Sequence, residues 1–381
     1  AYMTEAIDKA SEMFNWAERE AAPRQRDGSK VRGLGVGMGY HSAGGSGYDG
    51  LVRITPDGRI HLHSGVGNLG TYSYASTARA AAEVLQCSWE SCEIHRGSTD
   101  NHLPNSSTQG GSNTIFTHTR ANWVAAEDAV VKLKEIARTE FGGSVDDYSI
   151  AEERVFKTSD SSQGLSYGEA AAKAIELGGR YNGEEYPDDI HPITQRAVQG
   201  IAGSGLVGVA RDNLPKRGIA PGLMVSMAEI EVDLETGKYE ILDYLGIADC
   251  GTIIHPQGLS QQINGGAVWG FGMAGSEHYV YDPQNALPAN LGMYQAKLPT
   301  MLDVPAEMPN GAVDLPDPYN PAGGRGVGEP SQGSAVAAIT SAISDALNGH
   351  LFNRVPVTPD MIVNFAANNE QEAKLLALNT F

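Results

Sequence analysis

Cysteine is scarce in this sequence: Cys87, Cys92 and Cys250 are the only three among 381 residues. They form no CxxC pair, so a zinc or iron–sulfur site built on such pairs is excluded, and three are too few for a disulfide scaffold. Free thiols suit a reducing compartment, which makes the cytoplasm the expected location. Basic charge is also in deficit, with 27 Lys and Arg against 46 Asp and Glu and a net charge of −19. That excludes a nucleic-acid role, because no basic surface offsets it. No run of 18 apolar residues occurs, so no membrane span is expected, and the first residues do not read as a signal peptide.

Glycine is what the sequence has in quantity. Its 46 glycines imply many positions that need positive φ or close approach to something bulky. A hydrophobic fraction of 41% supplies a sizeable core, and 381 residues exceed the usual size of one domain, so two intimately packed halves are expected. Residues 5–22 read as one amphipathic helix, with Ile7, Ala10, Met13, Phe14 and Ala17 on one face, followed by a polar linker over 23–30. Gly33-Leu34-Gly35-Val36-Gly37-Met38-Gly39 predicts a strand bare on one face, suited to close contact with a backbone, a ligand or another chain. Residues 51–64 predict a hairpin turning at Pro56-Asp57-Gly58, followed by a helix over 74–85, a strand over 92–96 and a helix over 117–138. Residues 142–204 are more polar, with a helix expected over 167–177, and the boundary between halves is placed here. A second hairpin is expected over 227–248, turning at Glu235-Thr236-Gly237. A small-residue helix over 261–275, a loop over 309–330, an Ala-rich helix over 334–347 and an extended segment over 356–362 follow. Strands and helices mix without a regular βαβ rhythm, so the expected class is α+β. The expected division is a helix and linker over 1–29, a first half over 30–150 and a second over 151–381.

Three glycine-rich loops carry the candidate chemistry. Gly65-Val66-Gly67-Asn68-Leu69-Gly70 matches GxGxxG between a strand and a helix, the pattern that holds a pyrophosphate on backbone N–H groups. Against a nicotinamide site, the preceding Ile60-His61-Leu62-His63-Ser64 alternates polar and apolar and belongs to a hairpin rather than to a buried parallel crossover. A tight turn without a ligand is the plain alternative. Asn105-Ser106-Ser107-Thr108-Gln109-Gly110-Gly111-Ser112 is a run of small hydroxyl residues and glycines that could cradle an anion or simply be solvated. Gly323-Gly324-Arg325-Gly326-Val327-Gly328-Glu329-Pro330 sets Glu329 on a fixed backbone, with Arg325 the only charge close in sequence. In a dry pocket such a carboxylate suits general-base work near neutral pH; exposed, it is an acidic turn.

Taken in order, these loops resemble those of the molybdenum hydroxylases, the xanthine oxidase and aldehyde oxidoreductase family. Residues 323–330, followed by an Ala-rich helix, are similar to the loop that carries that family's catalytic glutamate, here Glu329. Residues 228–237 resemble the family's hairpin, and Asp249-Cys250-Gly251, His255-Pro256 and Gln262-Ile263-Asn264-Gly265-Gly266 resemble the segments after it. Tyr294-Gln295-Ala296-Lys297-Leu298-Pro299-Thr300 and residues 356–362, 52–70 and 105–112 also look like family counterparts. The resemblance is collinear from about residue 30 to about residue 365.

The resemblance implies the C-terminal part of a molybdopterin-binding large subunit. Its cofactor would be molybdopterin in the cytosine dinucleotide form, with molybdenum held through the pterin dithiolene rather than by side chains. Glu329 would deprotonate the metal-bound hydroxyl as it attacks an electrophilic carbon, a hydride then passing to the sulfido ligand as molybdenum is reduced. Gln262 matches a glutamine that hydrogen-bonds the pterin. Ser106, Ser107 and Gln109 fall in the loop around the dithiolene and phosphate, and Leu69, Gly70 and Gly328 in loops against the cofactor. Thr71 stands where the family usually has Gln, a shorter side chain that leaves a bridging water or altered chemistry open. The expected activity is hydroxylation of an activated carbon (N-heteroaromatic, aldehyde or similar) with oxygen from water. The alternatives are a family member that adds water without net oxidation and a non-catalytic half that scaffolds a partner's cofactor. Nothing here resembles the family's earlier molybdenum domain, its iron–sulfur domain or its FAD domain. A split subunit is therefore expected, with partner chains carrying the other molybdenum domain, the iron–sulfur clusters and the FAD, and a small molecule as substrate.

Overall fold

The computed structural model describes residues 2–22, 26–106, 108–215 and 220–368; Ser107 and residues 23–25 of the expected linker lie outside the described residues. The chain opens with helices α1 (Met3–Met13) and α2 (Trp16–Ala21), then strands β1 (Arg26–Asp27), β2 (Lys30–Ser42), β3 (Asp49–Ile54) and β4 (Ile60–His63). Helix α3 (Ser73–Val84), strand β5 (Cys92–His95) and the long helix α4 (Thr114–Phe141) follow. Strands β6 (Tyr148–Ala151), β7 (Arg154–Lys157) and β8 (Asp160–Ser166) lead to helices α5 (Tyr167–Leu177) and α6 (Pro192–Ile201) and strand β9 (Leu206–Arg211). The remainder comprises β10 (Pro221–Asp233), β11 (Tyr239–Asp249), α7 (Pro256–Gly275), α8 (Met293–Ala296), β12 (Asn310–Ala312), α9 (Pro330–Ala346) and α10 (Pro359–Asn368).

The strands form sheets in the orders β1-β2-β10-β11-β12, β5-β4-β3-β9 and β6-β7-β8, with helices against them, as the α+β class requires. The division expected at residue 150 does not follow the hydrogen bonding. β3 pairs with β9 from Asp49–Arg211 to Ile54–Leu206, and β2 pairs with β10 from Lys30–Asp233 to Ser42–Pro221. Long-range pairing of this kind leaves no local mark in a sequence. The helix expected over 5–22 is two helices, because Asn15 takes a left-handed conformation (φ 53°) between them. The polar stretch 142–204 holds a three-stranded meander as well as its expected helix. Strand β12 lies inside the expected loop 309–330, and the expected extended segment 356–362 turns into α10 at Pro359, a proline at the start of a helix where its missing N–H is no loss. β4 is half of a hairpin, as expected, yet it also opens a parallel crossover through α3 to β5, which the alternation alone argued against.

The bare strand face meets a helix of the same chain rather than another chain. A Cβ at Gly33, Gly35, Gly37 or Gly39 would lie 2.0–2.1 Å from the carbonyl oxygens of Ala342, Ala338, Ser334 and Pro330 respectively. Two strand residues advance about 6.6–6.8 Å and four helix residues about 6.0 Å, so each alternate glycine faces one successive turn of α9. Helix α9 thus lies on β2 without intervening side chains, and its N-terminal residue Pro330 is pinned at Gly39. On the opposite face of the same sheet, α1 buries Ala6 and Ala10 with Phe14 against Val225, Met227, Leu245 and Ile247. The four-stranded sheet uses the same device: Gly50 of β3 and Gly208 of β9 approach the carbonyls of Ala121 and Ala125 in α4.

Candidate functional site

A cleft of about 410 Å³ opens where the two sheet-and-helix layers meet. The beginnings of four helices line it: Ser73 and Ser76 of α3, Thr114 and Ile115 of α4, Gly258 and Gln262 of α7, and Glu329 ahead of α9. The N-cap residues Tyr72 of α3 and Glu329 of α9 do not cap their helices with their side chains. Converging helix N-termini present N–H groups and partial positive charge, a setting that favours an anionic group. Gly110 and Gly265 also line the cleft, and a Cβ on either would meet no protein atom within 4 Å, so the space over them is open to a bulky occupant.

Glu329 sits at the rim and is exposed. Its carboxylate accepts from Gly111 N–H on Oε1 at 3.0 Å and from the Ser112 hydroxyl on Oε2, while its own N–H donates back to Ser112 Oγ at 2.9 Å. Two of the three glycine-rich loops are therefore tied together through this residue. The approach depends on Gly326, where a Cβ would fall 1.5 Å from the Ser112 carbonyl oxygen. Arg325, the neighbouring charge in sequence, turns inward: it is buried, with Nη1 on Asp317 Oδ2 at 2.9 Å and Nη2 on Asp249 Oδ1. It anchors the loop and leaves Glu329 to the cleft. Burial pushes the neighbouring Cys250 thiol up to about 12, so it lines the cleft as a protonated thiol.

Of the residues singled out in the sequence, Leu69, Thr71, Gln109, Gln262, Gly328 and Glu329 line the cleft together. Gly70 and Ser106 do not; Gly70 is exposed with φ 85°, and Ser106 lies against Gly65, where a Cβ would meet its Oγ at 2.5 Å. Ser107 lies outside the described residues. Thr71 donates its hydroxyl to Ser73 Oγ at 3.0 Å, and Gln109 Nε2 approaches the same oxygen at 3.4 Å. Gln262 faces Gly328 across the cleft, and among the described residues no hydrogen bond engages its side-chain amide. Sequence reasoning missed Ser112 as the partner of Glu329, and His255 and Trp269 as lining residues. Ser112 and His255 stand within the family-like segments 105–112 and His255-Pro256, but nothing in those segments says that either faces the cleft, and Trp269 carries no local signal.

The family model for the molybdopterin cofactor-binding domain matches residues 9–305. The chain belongs to this family, that of the molybdenum hydroxylases. The 6-hydroxypseudooxynicotine dehydrogenase complex subunit gamma of Paenarthrobacter nicotinovorans is 28% identical over 363 residues, which cover 95% of this chain and 42% of that protein. A probable hypoxanthine oxidase of Escherichia coli K12 is 26% identical over 348 residues, covering 90% and 33%. Quinoline 2-oxidoreductase from Pseudomonas putida 86 has the same fold, with a TM-score of 0.74 at 23% identity over 96% of this chain and 46% of that one. The molybdopterin-binding chain therefore spans less than half the length of these relatives. Its cleft fits the cofactor: helix N-termini for a phosphate, an unengaged amide at Gln262 for a polar ring, and a glycine floor for bulk.

Proposed function

We propose that this chain supplies the glutamate-bearing side of the active site of a hydroxylase that inserts water-derived oxygen at an activated carbon. The observation that carries the reading is the Glu329 carboxylate, fixed at the rim of the cleft by Gly111 N–H and Ser112 Oγ–H. Two of its lone-pair sites are occupied by these donors, which hold the group in one plane and leave the others for a proton from the cleft. When bound, molybdopterin with molybdenum supplies the two-electron redox centre. Gln262 would hydrogen-bond the pterin with its amide, Gln109 would face the dithiolene and phosphate, and Leu69 and Gly328 would pack on the ring system, while Gly70 and Ser106, which do not line the cleft, would serve only to shape the loops that carry Leu69 and Gln109. The cytosine dinucleotide form is part of the same proposal. So are partner chains or segments bearing the other molybdenum domain, iron–sulfur clusters and FAD, and a cytoplasmic location, which the free thiols of Cys87, Cys92 and Cys250 support.

The names of the relatives, which concern 6-hydroxypseudooxynicotine, hypoxanthine, quinoline and aldehydes, support a substrate with an activated carbon, in an N-heteroaromatic compound, an aldehyde or similar. Among the described residues no helix is long and apolar enough to cross a membrane, and the net charge of −19 leaves no basic surface for nucleic acid. Glu329→Gln tests the reading: folding and molybdenum content stay near normal while turnover per bound molybdenum falls at least about 10²-fold, the lower range for loss of a general base. Equal turnover would return Glu329 to an acidic turn and leave the scaffold reading in place. Thr71, standing where the family usually has Gln, leaves open a second reading in which water is added without net oxidation. Reduction of an added electron acceptor in step with product formation rules that reading out.

A further inference from the structure

We propose that His61, Glu93 and His95 form a binding site for a divalent cation of the zinc type, apart from the cofactor cleft. β4 and β5 pair in parallel with His61 opposite Glu93 and His63 opposite His95, so strand alternation puts these four side chains on one face of the sheet. The intervening Ile60, Leu62 and Ile94 turn the other way, into or against the main core. His61 Nδ1 lies 2.8 Å from His95 Nε2 and 3.7 Å from Glu93 Oε2, and His95 Nε2 lies 3.5 Å from Glu93 Oε1. A tetrahedral ion with bonds of about 2.0–2.2 Å spaces its ligands about 3.3–3.6 Å apart. An ion therefore enters this triangle with small ring rotations, and solvent at the half-exposed Glu93 completes its coordination.

The surrounding hydrogen bonds orient the ligands for this. The Thr55 hydroxyl has two acceptors for its proton, Asp57 Oδ1 at 2.5 Å and the Arg59 carbonyl at 3.2 Å. Its oxygen is left to accept from His61 Nε2–H at 3.1 Å, so His61 turns a bare Nδ1 lone pair toward Glu93 and His95. An outer partner on the second ring nitrogen is the usual companion of a metal-ligating histidine. The His95 ring is held flat against His63, with centroids 4.8 Å apart and planes 16° apart; His63 donates from Nδ1 to the Asn101 carbonyl, and its Nε2 is buried without a hydrogen-bond partner. Arg53 on β3 also faces the cluster: its Nη1 donates to Ser204 Oγ at 3.1 Å, its charge opposes positive charge on His61, His63 and His95, and Glu93 offsets it. The ion would staple β4 to β5, the crossover from which residues 65–70 leave for the cleft.

The full chain, purified in its native assembly and stripped of loosely held metal with a chelator, is titrated with zinc alone against a chromophoric competitor. Molybdenum is followed by elemental analysis throughout. One zinc binds per chain, and cobalt in its place shows the visible absorption of a tetrahedral ion. His95→Gln and Glu93→Gln weaken zinc binding more than about 100-fold, and Thr55→Val about 10–100-fold, with molybdenum content unchanged. Glu93 is 49% exposed, so its variant tests the site even if the histidine variant does not fold. No stoichiometric zinc in the wild type, or equal zinc affinity in the wild type and in Glu93→Gln, overturns the proposal.

Discussion

Glu329 reaches its place through contacts that lie more than two hundred positions away in sequence: the Gly111 amide and the Ser112 hydroxyl hold its carboxylate. The glycine-framed carboxylate was visible in the sequence, but taken alone it reads as an acidic turn, and its candidate role came from the collinear resemblance of the surrounding loops. Its partner Ser112 was not marked, since nothing in a run of small polar residues says which hydroxyl faces which loop. Gln262 follows the same pattern from the other wall of the cleft. Gln262→Ala removes the amide proposed to face the cofactor and is expected to cost about 1–3 kcal/mol of binding through an unsatisfied partner. Molybdenum occupancy of the purified variant falls accordingly, and unchanged occupancy with unchanged activity would make Gln262 an ordinary helix residue. His118, buried in α4, is a residue-scale matter of a different kind: burial lowers its pKa from the ordinary 6.5 to about 4. Above pH 6.5 it is neutral both folded and unfolded. Between pH 6.5 and 4 the unfolded chain takes up a proton that the folded chain refuses, so stability falls by up to about 1.4 kcal/mol per pH unit. Urea unfolding at pH 7 and pH 5 shows this loss, and His118→Gln lessens the dependence by up to one proton; an identical dependence in the variant refutes the assignment.

At the scale of elements, the contact of β2 with α9 decides where Glu329 stands. Four alternate glycines of the strand face successive turns of the helix, and the last of them holds Pro330, next to the glutamate. Gly35→Ala or Gly37→Ala would drive a methyl group to 2.0–2.1 Å from a helix carbonyl oxygen. Neither backbone can yield alone, so each variant loses at least the 1–3 kcal/mol typical of overpacking, and the rim geometry shifts with it. Gly333 in the same helix is exposed, with nothing within 4 Å of an added Cβ, and Gly333→Ala raises stability by about 0.5–1 kcal/mol. Denaturant unfolding of the two sets gives opposite signs; a neutral Gly35→Ala would mean that the helix does not lie on this strand. The alternation of glycines announced a close approach, but a bare face carries no label for what approaches it. The partner, α9, begins about three hundred residues downstream.

For the whole molecule, the apolar surface left uncovered is the guide. Trp269 at the cleft is 64% exposed, Met38 and Tyr40 on the far face of β2 are each 58% exposed, and Leu291, Met301 and Leu302 are more than four-fifths exposed. Exposed apolar patches of this kind mark interaction surfaces, and the exposed Trp269 places one of them at the cleft itself. The chain expressed alone is therefore expected to bind no molybdenum, flavin or iron–sulfur cluster and to be poorly soluble or partly folded. Together with the proposed partners it is expected to form a stable complex sharing one cofactor across the interface. Size-exclusion chromatography with metal analysis decides this, and a well-folded, molybdenum-loaded, active monomer would refute it. By itself the sequence determined most helices and hairpins, the three glycine-rich loops and the family, because these rest on local periodicity, turn chemistry and collinear motifs. Only the tertiary structure decided that β3 pairs with β9 and β2 with β10, that Arg325 turns inward to Asp249 and Asp317, and that histidines of β4 and β5 meet around Glu93. Those pairings are set by which faces must be buried together across the chain, and burial of that kind is a property of the packed molecule rather than of any stretch of it.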